Sequence, residues 1–134
     1  MACDDVEILR RAFATWNASE LDRLVEMLGP AFEFIPLRSQ LDGATYRGPD
    51  GMRQFAADVA EEWEYLRIVS EEFRVVGEEI LMLGRFEARG CESGMDIQFP
   101  CGWVARVSDG KLVYLRTYSD PQEALAAVGL SEPA

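Results

Sequence analysis

Histidine is absent from the 134 residues. That absence removes imidazole acid–base catalysis, Ser-His-Asp and Cys-His nucleophile systems, and His-ligated metal sites. Lysine is nearly absent: Lys111 stands beside twelve arginines, a bias that fits a GC-rich bacterial genome better than any mechanism. Cysteine is sparse, and Cys3, Cys91 and Cys101 match neither a disulfide framework nor a zinc site. They are expected as free thiols of a reduced cytoplasm. No apolar run approaches the roughly 20 residues needed to span a bilayer. The acidic start Met1-Ala2-Cys3-Asp4-Asp5 lacks the apolar core of a signal peptide. The sequon Asn17-Ala18-Ser19 is therefore expected to stay unmodified. Positive charge is scarce too, with 13 Lys and Arg against 24 Asp and Glu, a net charge of −11. Such a surface repels polyphosphate and anionic lipid, so neither nucleic acid nor membrane is expected as a partner.

What is present suits an ordinary globular protein, 49% apolar and 28% charged, with no linker, repeat or low-complexity tract. One domain over residues 1–134 is expected. Val6, Leu9, Phe13 and Trp16 follow a helical spacing over Asp4 to Asn17, with Asp4 and Glu7 as a capping box. Ser19 with Asp22 predicts a second helix carrying Leu21, Leu24, Val25 and Leu28, stopped by Gly29-Pro30. Phe32 to Pro36 reads as a short strand. A polar loop through Ser39, Gly43 and Gly48-Pro49 leads to a third helix, capped by Asp50, with Met52, Phe55, Val59 and Trp63 on one face.

Beyond Glu64 the period changes to two. Strands are predicted at 66–76, 80–90, 95–107 and 111–119, separated by turn residues. Asp120-Pro121-Gln122-Glu123 then starts a short helix that Gly129 ends. Helices followed by an antiparallel meander imply an α+β fold, with the helices on one face of a curved sheet.

This order of elements resembles the SnoaL-like branch of the nuclear-transport-factor-2-like superfamily. The resemblance rests on Val6-Glu7-Ile8-Leu9-Arg10-Arg11-Ala12-Phe13 with Trp16-Asn17, and on Tyr46-Arg47-Gly48 before Gly51. It rests equally on Asp109-Gly110-Lys111-Leu112, Tyr118-Ser119-Asp120 and Glu123-Ala124-Leu125. It implies a cone: a curved mixed or antiparallel sheet wrapped round three N-terminal helices, with a short C-terminal helix. The superfold hosts isomerases, dehydratases, cyclases, epoxide hydrolases and non-enzymatic binders, so it fixes no activity.

Against the enzymes of that superfamily the chain lacks most machinery. Ile35, before Pro36, stands where ketosteroid isomerases carry their base, and Trp103 lies on the strand of their oxyanion Asp. Dehydratase and cyclase relatives rely on histidine. Arg85-Phe86-Glu87 resembles the Arg-x-Asp step of limonene-epoxide hydrolase, but Thr117 replaces its second acid. If Glu92-Ser93 is a two-residue loop, Phe86 opposes Phe99 and Met82 opposes Trp103. Arg85, Glu87 and Arg89 then face the other way, with Gln98 and Arg106. The alternatives are a charged outer face or a buried Arg85–Glu87 pair that activates water.

The inward residues suggest a cavity for a small apolar organic ligand, although they could equally fill a core. Phe13, Trp16, Phe34, Trp63, Phe86, Phe99 and Trp103 supply aromatic walls, and Met82 and Cys101 polarizable ones. Tyr46 and Thr117 supply the polar contacts. No metal or other cofactor is expected. The eight carboxylates from Asp58 to Glu79 lack the calcium-loop pattern and read as a solvated face. The outward set of Arg85, Glu87, Arg89, Gln98, Arg106, Tyr114, Arg116 and Tyr118 suggests a two-fold homodimer interface, or else a face shown to water. Two functions stay open: a binding protein without catalysis, or an enzyme on a lipophilic substrate that uses Arg85 and Glu87.

Overall fold

The computed structural model of the chain describes residues 2–36 and 45–130, with side chains from Asp4 onward. The Cys3 side chain and the predicted loop positions Ser39 and Gly43 lie outside the described residues. Helix α1 (Ala2–Asn17) starts earlier than the predicted cap, so Asp4 and Asp5 occupy its first turn, where the helix dipole favours acidic side chains. It buries Leu9, Ala12 and Phe13, and packs Val6 and Trp16 beside them. Ser19 does not cap the next helix. It turns the chain at a φ of 60°, and α2 (Leu21–Glu26) follows from Glu20.

The second helix ends before Leu28, contrary to the Gly-Pro stop signal. Leu28-Gly29-Pro30 instead belongs to β1 (Leu28–Ile35). The reason is tertiary: the Leu112 N–H donates to the Met27 carbonyl at 2.9 Å, and Leu28 pairs with Leu112 in parallel. A two-residue strand, β2 (Tyr46–Arg47), pairs antiparallel with β1 through Phe34 and Glu33. Helix α3 (Gly48–Glu62) has Arg47, not Asp50, at its cap, with Asp50 in the first turn. Gly48, at a φ of 70°, makes the sharp entry. Trp63 leaves the helix face predicted for it, because its extended backbone opens β3 (Trp63–Val76) by pairing with Gly90.

β3 pairs with β4 (Glu79–Gly90), β4 with β5 (Asp96–Ser108), and β5 with β6 (Lys111–Tyr118), all antiparallel. The six-stranded order is β2-β1-β6-β5-β4-β3, an open mixed sheet whose parallel pair is β1 with β6. Phe86 opposes Phe99 and Met82 opposes Trp103, as the sequence predicts. The loop before β5 is wider than Glu92-Ser93: the Gly90 N–H donates to Met95 O at 3.2 Å, and the Gly94 N–H to Gly90 O at 3.0 Å.

Helices α1 to α3 cover one sheet face, over a core that includes Phe32, Phe34, Met82, Cys101, Trp103, Leu112 and Leu115. The C-terminal helix α4 (Pro121–Ala127) begins as predicted, with the Asp120 carboxylate accepting the Gln122 N–H at 2.9 Å. It does not join the other helices. Ala124, Leu125 and Val128 pack with Leu81 and Val104 on the opposite face, in a second apolar cluster.

Candidate functional site

The sheet alternation sends Phe86, Ala88, Phe99 and Thr117 toward α3, and α3 answers with Phe55, Asp58, Val59 and Glu62 at helical spacing. Between them lies a cleft of about 290 Å³, completed by Phe34, Pro36, Trp63, Leu66 and Ile97. Its inner end continues into a narrow chamber of about 40 Å³ among Phe13, Trp16, Met52, Ile68 and Trp103. Phe34, Phe55, Leu66, Phe86 and Thr117 line both spaces. The walls are aromatic and mutually braced. Trp103, 1% exposed, meets Phe13 and Phe86 edge-on at 5.7 and 5.2 Å. Phe34 meets Phe55 edge-on at 4.7 Å. The Trp16 indole N–H donates to the Leu66 carbonyl at 2.8 Å, tying α1 to β3.

Thr117 is the polar member of this interior. It is 2% exposed, stands opposite Trp103, and its Oγ1 has no hydrogen-bond partner among the described residues. A buried hydroxyl left unpartnered costs about 1–3 kcal/mol. At the wider end the Tyr46 hydroxyl donates to Asp58 Oδ2 at 2.6 Å, and Gln54 Nε2 donates to Oδ1 at 2.8 Å. Among the described residues, these two donors hold the Asp58 carboxylate in the cleft wall.

Eight expected pocket residues are brought together: Phe13, Trp16, Phe34, Trp63, Phe86, Phe99, Trp103 and Thr117. Three take other places. Met82 and Cys101 are fully buried beneath the chamber, because β4 and β5 seat them under the helices and away from the opening. Burial pushes the Cys101 thiol up to about 12. Tyr46 packs its ring on Phe34 and Phe55 and contributes through Asp58. Phe55 joins the cleft although it is not among the expected pocket residues, and of the acidic run Asp58 and Glu62 line it as well, Glu62 while remaining exposed to solvent. The spacing of 55, 58, 59 and 62 already puts all three on one side of α3.

Arg85 and Glu87 lie on the other sheet face. Arg85 Nε contacts Glu87 Oε2 at 3.2 Å, and its Nη1 contacts Glu71 at 3.0 Å. Glu71 comes from β3, so the pair belongs to a cross-strand ion network and lines neither space. Arg89 pairs with Asp96 at 2.7 Å. That hydrogen bond holds the Asp96 carboxyl below the usual carboxylate range and the Arg89 guanidinium above its own. Gln98, Arg106, Tyr114, Arg116 and Tyr118 share this outer side by register. Tyr114 and Tyr118, however, pack into the α4 cluster, with Arg106 and Arg116 stacked over their rings, each at 4.9 Å. Part of the expected interface is therefore occupied by the chain's own helix. Among the described residues no three carboxylates or thiols converge as a metal site.

The SnoaL-like domain profile matches residues 9–115. The chain belongs to the SnoaL-like family. Its structure is similar to a nuclear-transport-factor-2-like protein of unknown function from Burkholderia pseudomallei K96243, at a TM-score of 0.77 and 19% identity, covering 94% of this chain and 98% of that one. It is similar to TerC co-crystallised with polyporic acid, at a TM-score of 0.78 and 17% identity, covering 93% and 98%. A further nuclear-transport-factor-2-like protein, from Burkholderia thailandensis E264, superposes at a TM-score of 0.74 with 20% identity, covering 95% and 96%. No curated protein matches the chain in sequence. At these identities the structural likeness establishes the cone and leaves the ligand open. No helix among the described residues is long and apolar enough to cross a membrane.

Proposed function

We propose that this SnoaL-like chain binds a small, mainly apolar organic molecule in the cleft between α3 and the sheet, with one polar group of the ligand at Thr117. The observation that carries the reading is the Thr117 hydroxyl: buried, unpartnered and set in the wall of both spaces. Aromatic walls with a few polar groups are the usual make-up of a small-molecule site, and about 290 Å³ is at the small end of its size range. That TerC crystallised with polyporic acid supports a cone of this shape accepting an organic guest. Binding rather than catalysis is favoured because Arg85 and Glu87 point into the outer ion network, and the chain has no histidine. The test is calorimetric titration with 1-naphthalenemethanol, a neutral aromatic alcohol, on the natural chain and on Thr117→Val. Saturable one-site binding, weakened about tenfold by the substitution, is expected from losing one hydrogen bond. No binding, or equal affinity in both proteins, overturns the assignment.

A further inference from the structure

The cleft and the inner chamber meet at a neck. Of the five described residues that line both spaces, Phe34, Phe55, Leu66, Phe86 and Thr117, the last alone is polar. Its hydroxyl is buried and has no hydrogen-bond partner among the described residues. Beyond the neck the described lining is aliphatic, aromatic or thioether, with Leu9, Ala12, Met52, Ile68 and Trp103 among its members. A space lined in this way holds water poorly, because a buried water needs two or more polar partners. The chamber measures about 40 Å³. That is room for one or two heavy atoms, at roughly the 30 Å³ that a water takes in the liquid.

The chamber walls are fixed on both sides. The Trp16 indole N–H donates to the Leu66 carbonyl at 2.8 Å, and Asn17 Nδ2 donates to the Ile68 carbonyl at 2.7 Å. The Ile68 N–H returns a bond to Asn17 Oδ1 at 2.8 Å. Three hydrogen bonds thus clamp the end of α1 onto the edge strand β3. Trp103 is braced edge-on by Phe13 and Phe86. A packed wall of this kind stretches little to admit a larger group.

We infer that the ligand carries its hydrogen-bonding group internally: an aromatic body fills the cleft, a hydroxyl or carbonyl oxygen meets Thr117, and an alkyl tip of one or two carbons enters the chamber. Ala12 and Ile68 set the length of that tip. This rests on the proposed binding role and adds a specificity to it. Selection takes place at the inner end of the cleft, and the end near Pro36 takes no part in it. A ligand whose polar group is terminal leaves the chamber empty. One whose polar group passes Thr117 buries that group unpaired among carbon atoms. A tip longer than two carbons meets the far walls or lifts the polar group away from Thr117.

The experiment titrates a series of alcohols calorimetrically into the full chain. The parent is 1-naphthalenemethanol, and its homologues add a methyl, ethyl or n-butyl group at the hydroxyl-bearing carbon. The methyl group should tighten binding about fourfold, the value of one carbon moved from water into an apolar site. The butyl homologue should bind about tenfold more weakly than the methyl one. The isomer 2-(1-naphthyl)ethanol, with the same atoms as the methyl homologue and a terminal hydroxyl, should lose the fourfold gain. In Ala12→Val, whose larger side chain fills the chamber, the methyl-to-parent ratio should fall to about one. In Ile68→Ala, which deepens the chamber, the butyl homologue should gain about tenfold on the methyl one. This second variant keeps the backbone bonds to Asn17, so it decides the matter if Ala12→Val does not fold. Affinity that fails to rise at the first methyl or fails to drop by butyl overturns the inference while the cleft stands, as does an isomer that binds as tightly as the methyl homologue. If neither the parent nor any homologue binds, the cleft reading itself falls, and this one with it.

Discussion

Ala124 of α4 rests directly on Gly102 of β5: a Cβ placed on residue 102 would come within 2.4 Å of the Ala124 Cβ. The missing side chain lets the C-terminal helix lie on the outer sheet face, where its Leu125 packs with Leu81 and Val104 of the sheet. Gly102→Ala should therefore push α4 off or strain β5, costing about 1–3 kcal/mol as other overpacked sites do. The urea midpoint checks this. An unchanged midpoint would mean that α4 is not seated there.

Thr117 gives the opposite sign. Thr117→Val keeps the shape and removes a buried hydroxyl that has no partner. The ligand-free protein should gain about 1 kcal/mol or more in stability while ligand binding weakens. A chemical denaturation curve shows which way stability moves, and a loss would mean that the hydroxyl is satisfied.

Trp103 braces the inner chamber against Phe13 and Phe86. Trp103→Ala should cost about 3–5 kcal/mol and open the chamber beyond its present 40 Å³ or so. A loss below about 1 kcal/mol would show that the surroundings collapse into the gap.

The thiols should separate by accessibility. Cys91 is exposed and Cys101 buried. In a Cys3→Ser background, one thiol should react promptly with an aromatic disulfide reagent at mildly alkaline pH, and a second after unfolding. Burial raises the folded-state value of the Cys101 thiol to about 12 from 9.0. Its contribution to stability is thus complete below 9.0 and is lost as pH rises from there through about 12. A buried thiol that reacts as fast as Cys91 would contradict the core placement.

A two-fold homodimer remains a proposal, now confined to the part of the outer face that α4 leaves open, around Arg85, Glu87, Arg89 and Gln98. Sedimentation at micromolar concentration should give twice 15.0 kDa, and Arg85→Glu should halve it. A single-chain mass for the natural protein refutes the interface.

Local signals carried the elements that depend on periodicity. Val6, Leu9, Phe13 and Trp16 announce α1, and the alternation from Leu66 onward announces the meander with its Phe86–Phe99 register. The cap at Asp120 was also legible, because an N-cap is satisfied within three residues. Three features were decided by partners distant in the chain. The end of α2 yields to Leu112, which claims the backbone around Leu28. The position of Trp63 is set by pairing with Gly90. The side of the sheet taken by α4 depends on the space above Gly102, which no helical periodicity encodes. The site divides in the same way. Composition alone excluded histidine chemistry. Alternation set Arg85 and Glu87 on the face away from Phe86, and the choice between an outer face and a buried pair was decided by the helices packing over Phe86 and by the ion contact of Arg85 with Glu71. That Thr117 would be left without a partner among the described residues, and that Asp58 would be drawn from an acidic run into the cleft wall, required α3 to pack against β1, β2 and β3 and so to close the cleft over β5 and β6. Hydrogen bonding and burial are properties of neighbours in space, and a sequence pattern specifies those only within a helix turn or a hairpin.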